Sequence, residues 1–249
     1  MPDAARAPNP TGLDAYRPAE IAQLVEAAGV AKARLAPLPM VTLAVLAGAF
    51  IGFGAAAYTL AMTGADPAYG PHRIFGGVVF SLGLILVIVG GAELFTGNAL
   101  MVMAAVDRLI RPGELVRSWA IVYAGNLAGG AGLALAVAAA GLLDGPMGAK
   151  AAAIALAKVG LGPAEAFMSG VLCNVLVCLA VWLTLAARTV AGKIMAIVWP
   201  IASFVALGLE HSVANMYLIP QGWLAGAPVG AGGFLHNLFF VTLGNIVGG

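Results

Sequence analysis

The sequence predicts an all-α membrane protein: six transmembrane helices in two inverted three-helix repeats, with the second and fifth helices broken. Three observations carry this reading. The chain of 249 residues is 61% hydrophobic and only 9% charged, whereas a soluble domain carries roughly 25% charge. So little charge leaves no polar surface to cover a core of this length, and the solvent is lipid. Apolar stretches long enough to cross a bilayer, about 20 residues each, recur along the chain. Two stretches in opposite halves also match. Gly91-Ala92-Glu93-Leu94-Phe95-Thr96-Gly97-Asn98 aligns with Gly208-Leu209-Glu210-His211-Ser212-Val213-Ala214-Asn215, and at nearly the same offset Gly125-Asn126-Leu127-Ala128-Gly129-Gly130 aligns with Gly244-Asn245-Ile246-Val247-Gly248-Gly249. Paired interruptions at corresponding places in two apolar halves point to a transport site near the bilayer midplane.

Residues 1–12 are rich in Pro and Ala and lack the apolar core and cleavage pattern of a signal peptide. Pro18 followed by Glu20 reads as a helix start. Ile21, Leu24, Val25 and Ala28 then recur at helical spacing with Glu20, Gln23 and Glu26 between them, a short amphipathic helix expected along the membrane surface. Pro37 and Pro39 end this segment, so residues 1–39 form a cytoplasmic N-terminal piece and 40–249 the transmembrane pore domain, with repeats at about 40–143 and 166–249.

The first span runs from Met40 to Met62, and a polar loop with Asp66, Pro67, Pro71 and His72 follows it. The apolar run from Ile74 to Val106 is too long for one straight crossing. Gly90-Gly91 and Thr96-Gly97 interrupt it around Glu93, so two half-helices are expected, joined by irregular backbone. Such backbone survives at membrane depth only where protein covers it or a water-filled cavity meets it. The third span covers Trp119 to Leu143, and residues 144–165 read as a loop carrying Lys150 and Lys158. The fourth covers Ala166 to Ala187, the fifth is the interrupted run holding His211, with Pro200 bending its first half, and the sixth begins near Phe234. From Phe234 to Gly249 a helix rising about 1.5 Å per residue barely crosses the hydrocarbon. The matching third span continues past Gly130 to Leu143, so the sixth helix is expected to continue beyond Gly249.

Orientation follows from the cations. Arg6, Arg17, Lys32, Arg34, Arg108, Arg111, Arg117, Arg188 and Lys193 fall on one side, and Arg73, Lys150 and Lys158 on the other. The positive-inside rule places both termini in the cytoplasm. Three spans per repeat then invert one half relative to the other.

A half-helix that starts inside the membrane presents free N–H groups and a partial positive charge, which suits an anion. Thr96 and Ser212 add hydroxyls, and His211 adds a group able to exchange a proton near neutral pH. Phe80, Leu84, Phe95 and Phe204 offer narrow apolar collars that oppose a bare anion and admit its neutral acid. A small weak acid protonated at the centre is a coherent substrate. Each residue also has a plainer role. His211 can be a packed histidine; Glu93 and Glu210 can simply satisfy half-helix ends; the phenylalanines can face lipid or core; and Asn174 serves equally as a helix–helix contact or a pore donor. Lys158, the odd cation in an apolar stretch, is assigned to Glu210, and Glu93 is assigned the same partner. Cys173 and Cys178 read as small packing residues. The composition suggests no cofactor or metal, and a net charge of +1 offers no basic patch for nucleic acid.

At these motifs the chain resembles the formate–nitrite transporter family. The resemblance lies in Phe80-Ser81-Leu82-Gly83, Glu93 through Asn98, Cys173-Asn174-Val175-Leu176-Val177-Cys178-Leu179-Ala180, Glu210-His211-Ser212-Val213-Ala214-Asn215-Met216 and Leu243-Gly244-Asn245, which run from the second span to the sixth. It implies an aquaporin-like protomer in a homopentamer, each protomer with its own pore. It also implies a central histidine, His211, near Thr96 and Asn174; constrictions at Phe80, Leu84, Phe95 and Phe204; and a vestibule lysine, Lys158. The implied activity is passage of a small monovalent anion, with or without a proton, across a bacterial inner membrane, formate first and nitrite second. Hydrosulfide, acetate and lactate are further options. Met216-Tyr217-Leu218-Ile219-Pro220 looks more formate-like, while Glu93 through Asn98 and Leu243-Gly244-Asn245 look equally nitrite-like. A neutral-solute channel shares the architecture, but Asn98 precedes Ala99 and Asn215 precedes Met216, so the Asn-Pro-Ala motif is missing. An intramembrane enzyme using His211 and Glu210 has no supporting nucleophile or metal-ligand cluster, and a purely structural scaffold is the remaining alternative.

Overall fold

The computed structural model describes residues 15–249, so the Pro- and Ala-rich residues 1–12 and Arg6 lie outside it. The described residues form helices joined by loops, with no strand among them. In order the helices are α1 (Pro18–Ala33), α2 (Pro37–Ala61), α3 (Gly70–Phe80), α4 (Leu82–Gly90), α5 (Met101–Val106), α6 (Pro112–Ala139), α7 (Pro146–Val159), α8 (Pro163–Ala186), α9 (Val190–Leu207), α10 (Ser212–Leu224) and α11 (Ala231–Gly248), with a 3-10 turn at Gly97–Leu100 before α5. Five of them begin on a proline, whose fixed φ and missing N–H suit the first helical position.

Among the described residues, six segments are long and apolar enough to cross a membrane: Pro37–Ala61, Gly70–Gly90, Pro112–Ala139, Pro163–Ala186, Val190–Leu207 and Ala231–Gly248. Their outward faces carry Leu38, Phe53, Leu60, Phe75, Leu135, Leu172, Trp199, Leu235, Phe239 and Val247, all well exposed. In water this surface would be untenable; in lipid it is the expected exterior.

One sequence expectation changes and two gain detail. The stretch 144–165 is not a loop. Pro146 starts α7, whose alanine-rich sequence favours helix, and α7 packs closely on α10: a side chain at Gly222 would overlap Ala155 and crowd the Ala151 carbonyl. The second apolar region is broken around Glu93 as expected, but unequally. Gly70–Gly90 is of crossing length by itself, nearly continuous through Ser81, and only the short Gly97–Val106 segment follows the interruption. The amphipathic helix α1 turns its buried stripe of Ile21, Val25, Gly29 and Ala33 onto protein: Gly29 touches Met101 and Ala104 of α5.

Two helix pairs use the same device to approach closely. Gly125 and Gly129 of α6 face α2, where a Cβ at Gly129 would overlap the Val45 carbonyl oxygen. Gly244 and Gly248 of α11 face α8, where a Cβ at Gly244 would overlap the Phe167 carbonyl. Small residues four apart let backbones meet where lipid supplies no hydrophobic drive between helices.

Candidate functional site

The two interrupted stretches meet in the core. Gly91 and Gly208 end α4 and α9 in left-handed conformations, φ 81° and 77°, which glycine adopts without strain. The chain then runs irregularly through Glu93–Thr96 and Leu209–His211 before helix resumes. Such backbone needs partners, and two asparagines supply them. Asn126 Oδ1 accepts from the Phe95 N–H at 2.9 Å while its amide donates to the carbonyls of Glu93 and Ala44. Asn245 Oδ1 accepts from the Ser212 N–H at 2.8 Å while its amide donates to the carbonyls of Glu210 and Gly170. Each asparagine thus pins one interruption to the helix packed against its own.

The carboxylates repeat the same pattern. Glu210 Oε1 accepts from Lys158 Nζ at 2.8 Å and its Oε2 from Asn215 Nδ2 at 2.6 Å. Glu93 Oε1 accepts from Lys32 Nζ at 2.8 Å and its Oε2 from Asn98 Nδ2 at 2.8 Å. The Lys158–Glu210 pair expected from sequence is present. The assignment of Glu93 to Lys158 is overturned, because α1 docks against α5 and delivers Lys32 to that carboxylate instead. Removing one member of a buried pair leaves the other charge stranded. Lys158→Met is therefore expected to lower the thermal stability of the detergent-solubilised protein by about 3–5 kcal/mol, with Lys158→Met/Glu210→Gln recovering most of the loss. Equal stability of the single and double variants would refute this. Lys32 is more exposed than Lys158, 31% against 14% of its side chain, so Lys32→Met should cost less.

His211 and Thr96 lie between these pairs. The Nε2 of His211 is 2.9 Å from Thr96 Oγ1, and its Nδ1 accepts from the Ala214 N–H at 3.0 Å. A backbone N–H can only donate, so Nδ1 carries a lone pair and the neutral ring places its proton on Nε2. That proton points at the Thr96 oxygen, leaving the threonine hydroxyl hydrogen free to point elsewhere. Asn174 Nδ2 donates to the carbonyls of Thr96 and Asn245, at 3.2 and 2.7 Å. The Cys178 thiol also reaches the Thr96 carbonyl at 3.5 Å. Asn174 Oδ1 and Ser212 Oγ are buried without a hydrogen-bond partner among the described residues, as at sites that receive a polar visitor.

A cavity of about 260 Å³ leads to His211 and is lined by Phe80, Phe204, Lys158 and Glu210 among others. The Phe204 ring stacks on His211 at 5.8 Å and meets Phe80 edge-on at 5.7 Å. Leu84 lines a separate small cavity with Lys32, Asn98 and Val181. Phe95 lines neither; its ring packs edge-on against Trp119 and Tyr123. Sequence reasoning missed Lys32 and the two pinning asparagines as site residues. The matched Gly-Asn pairs in the two halves were the available signal for the asparagines, whereas nothing local marked Lys32.

Residues 19–249 match the family described as Formate/nitrite transporter. The chain belongs to this family. The "Formate channel FocA" of Escherichia coli (strain K12) is 39% identical over 270 aligned residues, covering 98% of this chain and 93% of that protein. The "Nitrite transporter NirC" of Salmonella typhimurium is 36% identical over 220 residues, covering 86% of this chain and 80% of that one. A solved "Pentameric formate channel with formate bound" superposes with a TM-score of 0.77 at 37% identity, covering 85% of this chain and 92% of that one.

Proposed function

We propose that this protein carries formate across the bacterial inner membrane, as a homopentamer with a separate pore in each protomer, its halves inverted and both termini cytoplasmic. The observation that carries the reading is the Thr96–His211 contact, whose histidine lines a cavity walled by Phe80 and Phe204. An anion that passes two phenylalanine rings loses water and regains only what the wall offers, so a proton taken up from the bulk solution on the same side removes most of the cost. The Thr96 hydroxyl donates to the anion while His211 Nε2–H donates to the Thr96 oxygen, and the two bonds polarise one another. Asn174 holds the Thr96 backbone in place. Leu84, on a separate cavity, acts as a second constriction, and Phe95 narrows the path by wedging its loop against Trp119 and Tyr123. The two lysine–glutamate pairs keep the carboxylates neutralised, so that neither repels the permeant. The likeness to a formate channel and to a solved formate-bound pentamer supports the substrate and the assembly.

Nitrite is the second reading, favoured by the 36% identity to the nitrite transporter. Formate and nitrite are both small bent oxyanions. Uptake of labelled formate and nitrite into proteoliposomes, with the flux into protein-free vesicles subtracted, separates them. Faster formate uptake that rises with acidity is expected. Preference for nitrite would replace the substrate, and flux of water or glycerol alone, indifferent to pH, would replace the whole reading with a neutral-solute channel.

A further inference from the structure

The cavity that leads to His211 is lined by three charged residues, Lys158, Glu165 and Glu210. Lys158 is bound to Glu210 at 2.8 Å, with only 14% and 4% of their side chains exposed. Seen from a distance, that pair has little net charge. Glu165 is exposed at the start of α8 and lies in the same wall. By its lining alone, one cation against two carboxylates, the cavity is net negative and should turn anions away.

Arg73 changes this balance. It sits in the first turn of α3, and its Nη2 lies 3.3 Å from where a Cβ would stand on Gly208, itself a residue of the cavity wall. A side chain at that position would crowd the guanidinium. Among the described residues Arg73 makes no salt bridge, so its charge is not spent on a carboxylate. Its placement does not serve α3, because a cation in the first turn opposes that helix's own dipole. A guanidinium presents paired N–H donors in one plane. Formate and nitrite each present two oxygens in one plane, the geometry a guanidinium grips with two parallel bonds.

We propose that Arg73 is the receiving group for the anion at the mouth of this cavity, drawing in small planar oxyanions and handing them to the Phe80–Phe204 constriction, with Glu165 as the opposing charge. This rests on the anion-transport reading above. Arg73 acts before the constriction, so it governs capture and not passage. Lys158 remains a short-range donor inside the cavity, while the long-range attraction comes from Arg73.

The test is concentration-dependent formate uptake by the full-length protein in vesicles at low ionic strength, for wild type, Arg73→Gln, Arg73→Lys and Glu165→Gln. Losing a charge-assisted pair of bonds should raise the half-saturating formate concentration about tenfold in Arg73→Gln, with the maximal rate within about twofold. Arg73→Lys keeps the charge and loses the fork, so it should fall between the two. Glu165→Gln should shift half-saturation the other way. The charge-dependent part of all three shifts should shrink above about 0.1 M salt, where exposed charges are screened. Unchanged half-saturation in Arg73→Gln beside an active wild type overturns the proposal and leaves Arg73 as a charge for the C-terminal end of α9, visible as a lowered melting temperature. If Arg73→Gln does not fold, Arg73→Lys decides: half-saturation equal to wild type overturns the fork. A wild type that takes up neither formate nor nitrite overturns the anion reading itself, and the role of Arg73 falls with it.

Discussion

Formate uptake into vesicles carrying His211→Phe is expected to fall by about 100-fold or more relative to wild type, the range for losing a positioned proton-exchanging group. Phenylalanine fills the imidazole volume and preserves the stack on Phe204, whose ring lies 5.8 Å away. What it removes is the Nε2 contact to Thr96 and the Nδ1 acceptor for the Ala214 N–H. On the proposed reading wild-type uptake should rise with acidity, because each anion that crosses as its neutral acid takes up a proton. The variant should lose that rise. Thr96→Val separates the hydroxyl from the ring: it keeps shape and the Asn174 bond to the Thr96 carbonyl, and should reproduce most of the loss. Uptake by His211→Phe equal to wild type, with the same pH profile, would make His211 a packing residue and move selectivity to the Phe80–Phe204 pair and the charges above it.

The second large effect is on folding. Asn245→Leu is expected to abolish recovery of monodisperse protein, because one nearly isosteric change strands two buried groups of the interruption, the Ser212 N–H and the Glu210 carbonyl, and cuts the tie to the Gly170 carbonyl of α8. Each unpaired buried group costs about 1–3 kcal/mol, and lipid offers no water to replace the lost partners. Asn126→Leu strands the Phe95 N–H and the Glu93 carbonyl, cuts the tie to the Ala44 carbonyl of α2, and should behave alike. Asn174→Leu is a useful contrast. It releases only the Thr96 and Asn245 carbonyls, so folded protein should be recovered with impaired uptake. Size-exclusion profiles and melting curves of the three variants check the ranking. Wild-type profiles for both Asn126→Leu and Asn245→Leu would show that other contacts hold the interrupted segments.

The spans, the interruptions and the central residues were legible along the chain because each is a local property. An apolar run of crossing length in a sequence with 9% charge has one solvent. A Gly beside a Glu or an Asn inside such a run is costly unless the fold uses it, and the match between Glu93–Asn98 and Glu210–Asn215 marked both places. The pair Lys158–Glu210 could be named from sequence because few unassigned cations stood near that half. Tertiary structure alone decided the rest. Glu93 meets Lys32, 61 positions away in sequence, and not Lys158, because docking of α1 on α5 is a long-range packing event with no periodic trace. The histidine tautomer depends on which backbone N–H faces Nδ1. The 144–165 stretch became helix because α10 offered its alanine face a partner. Arg73, one cation among twelve Lys and Arg in the sequence, gained its place at the cavity only when α3 and the end of α9 came together. Local sequence sets which groups must be satisfied, and packing determines which partners reach them.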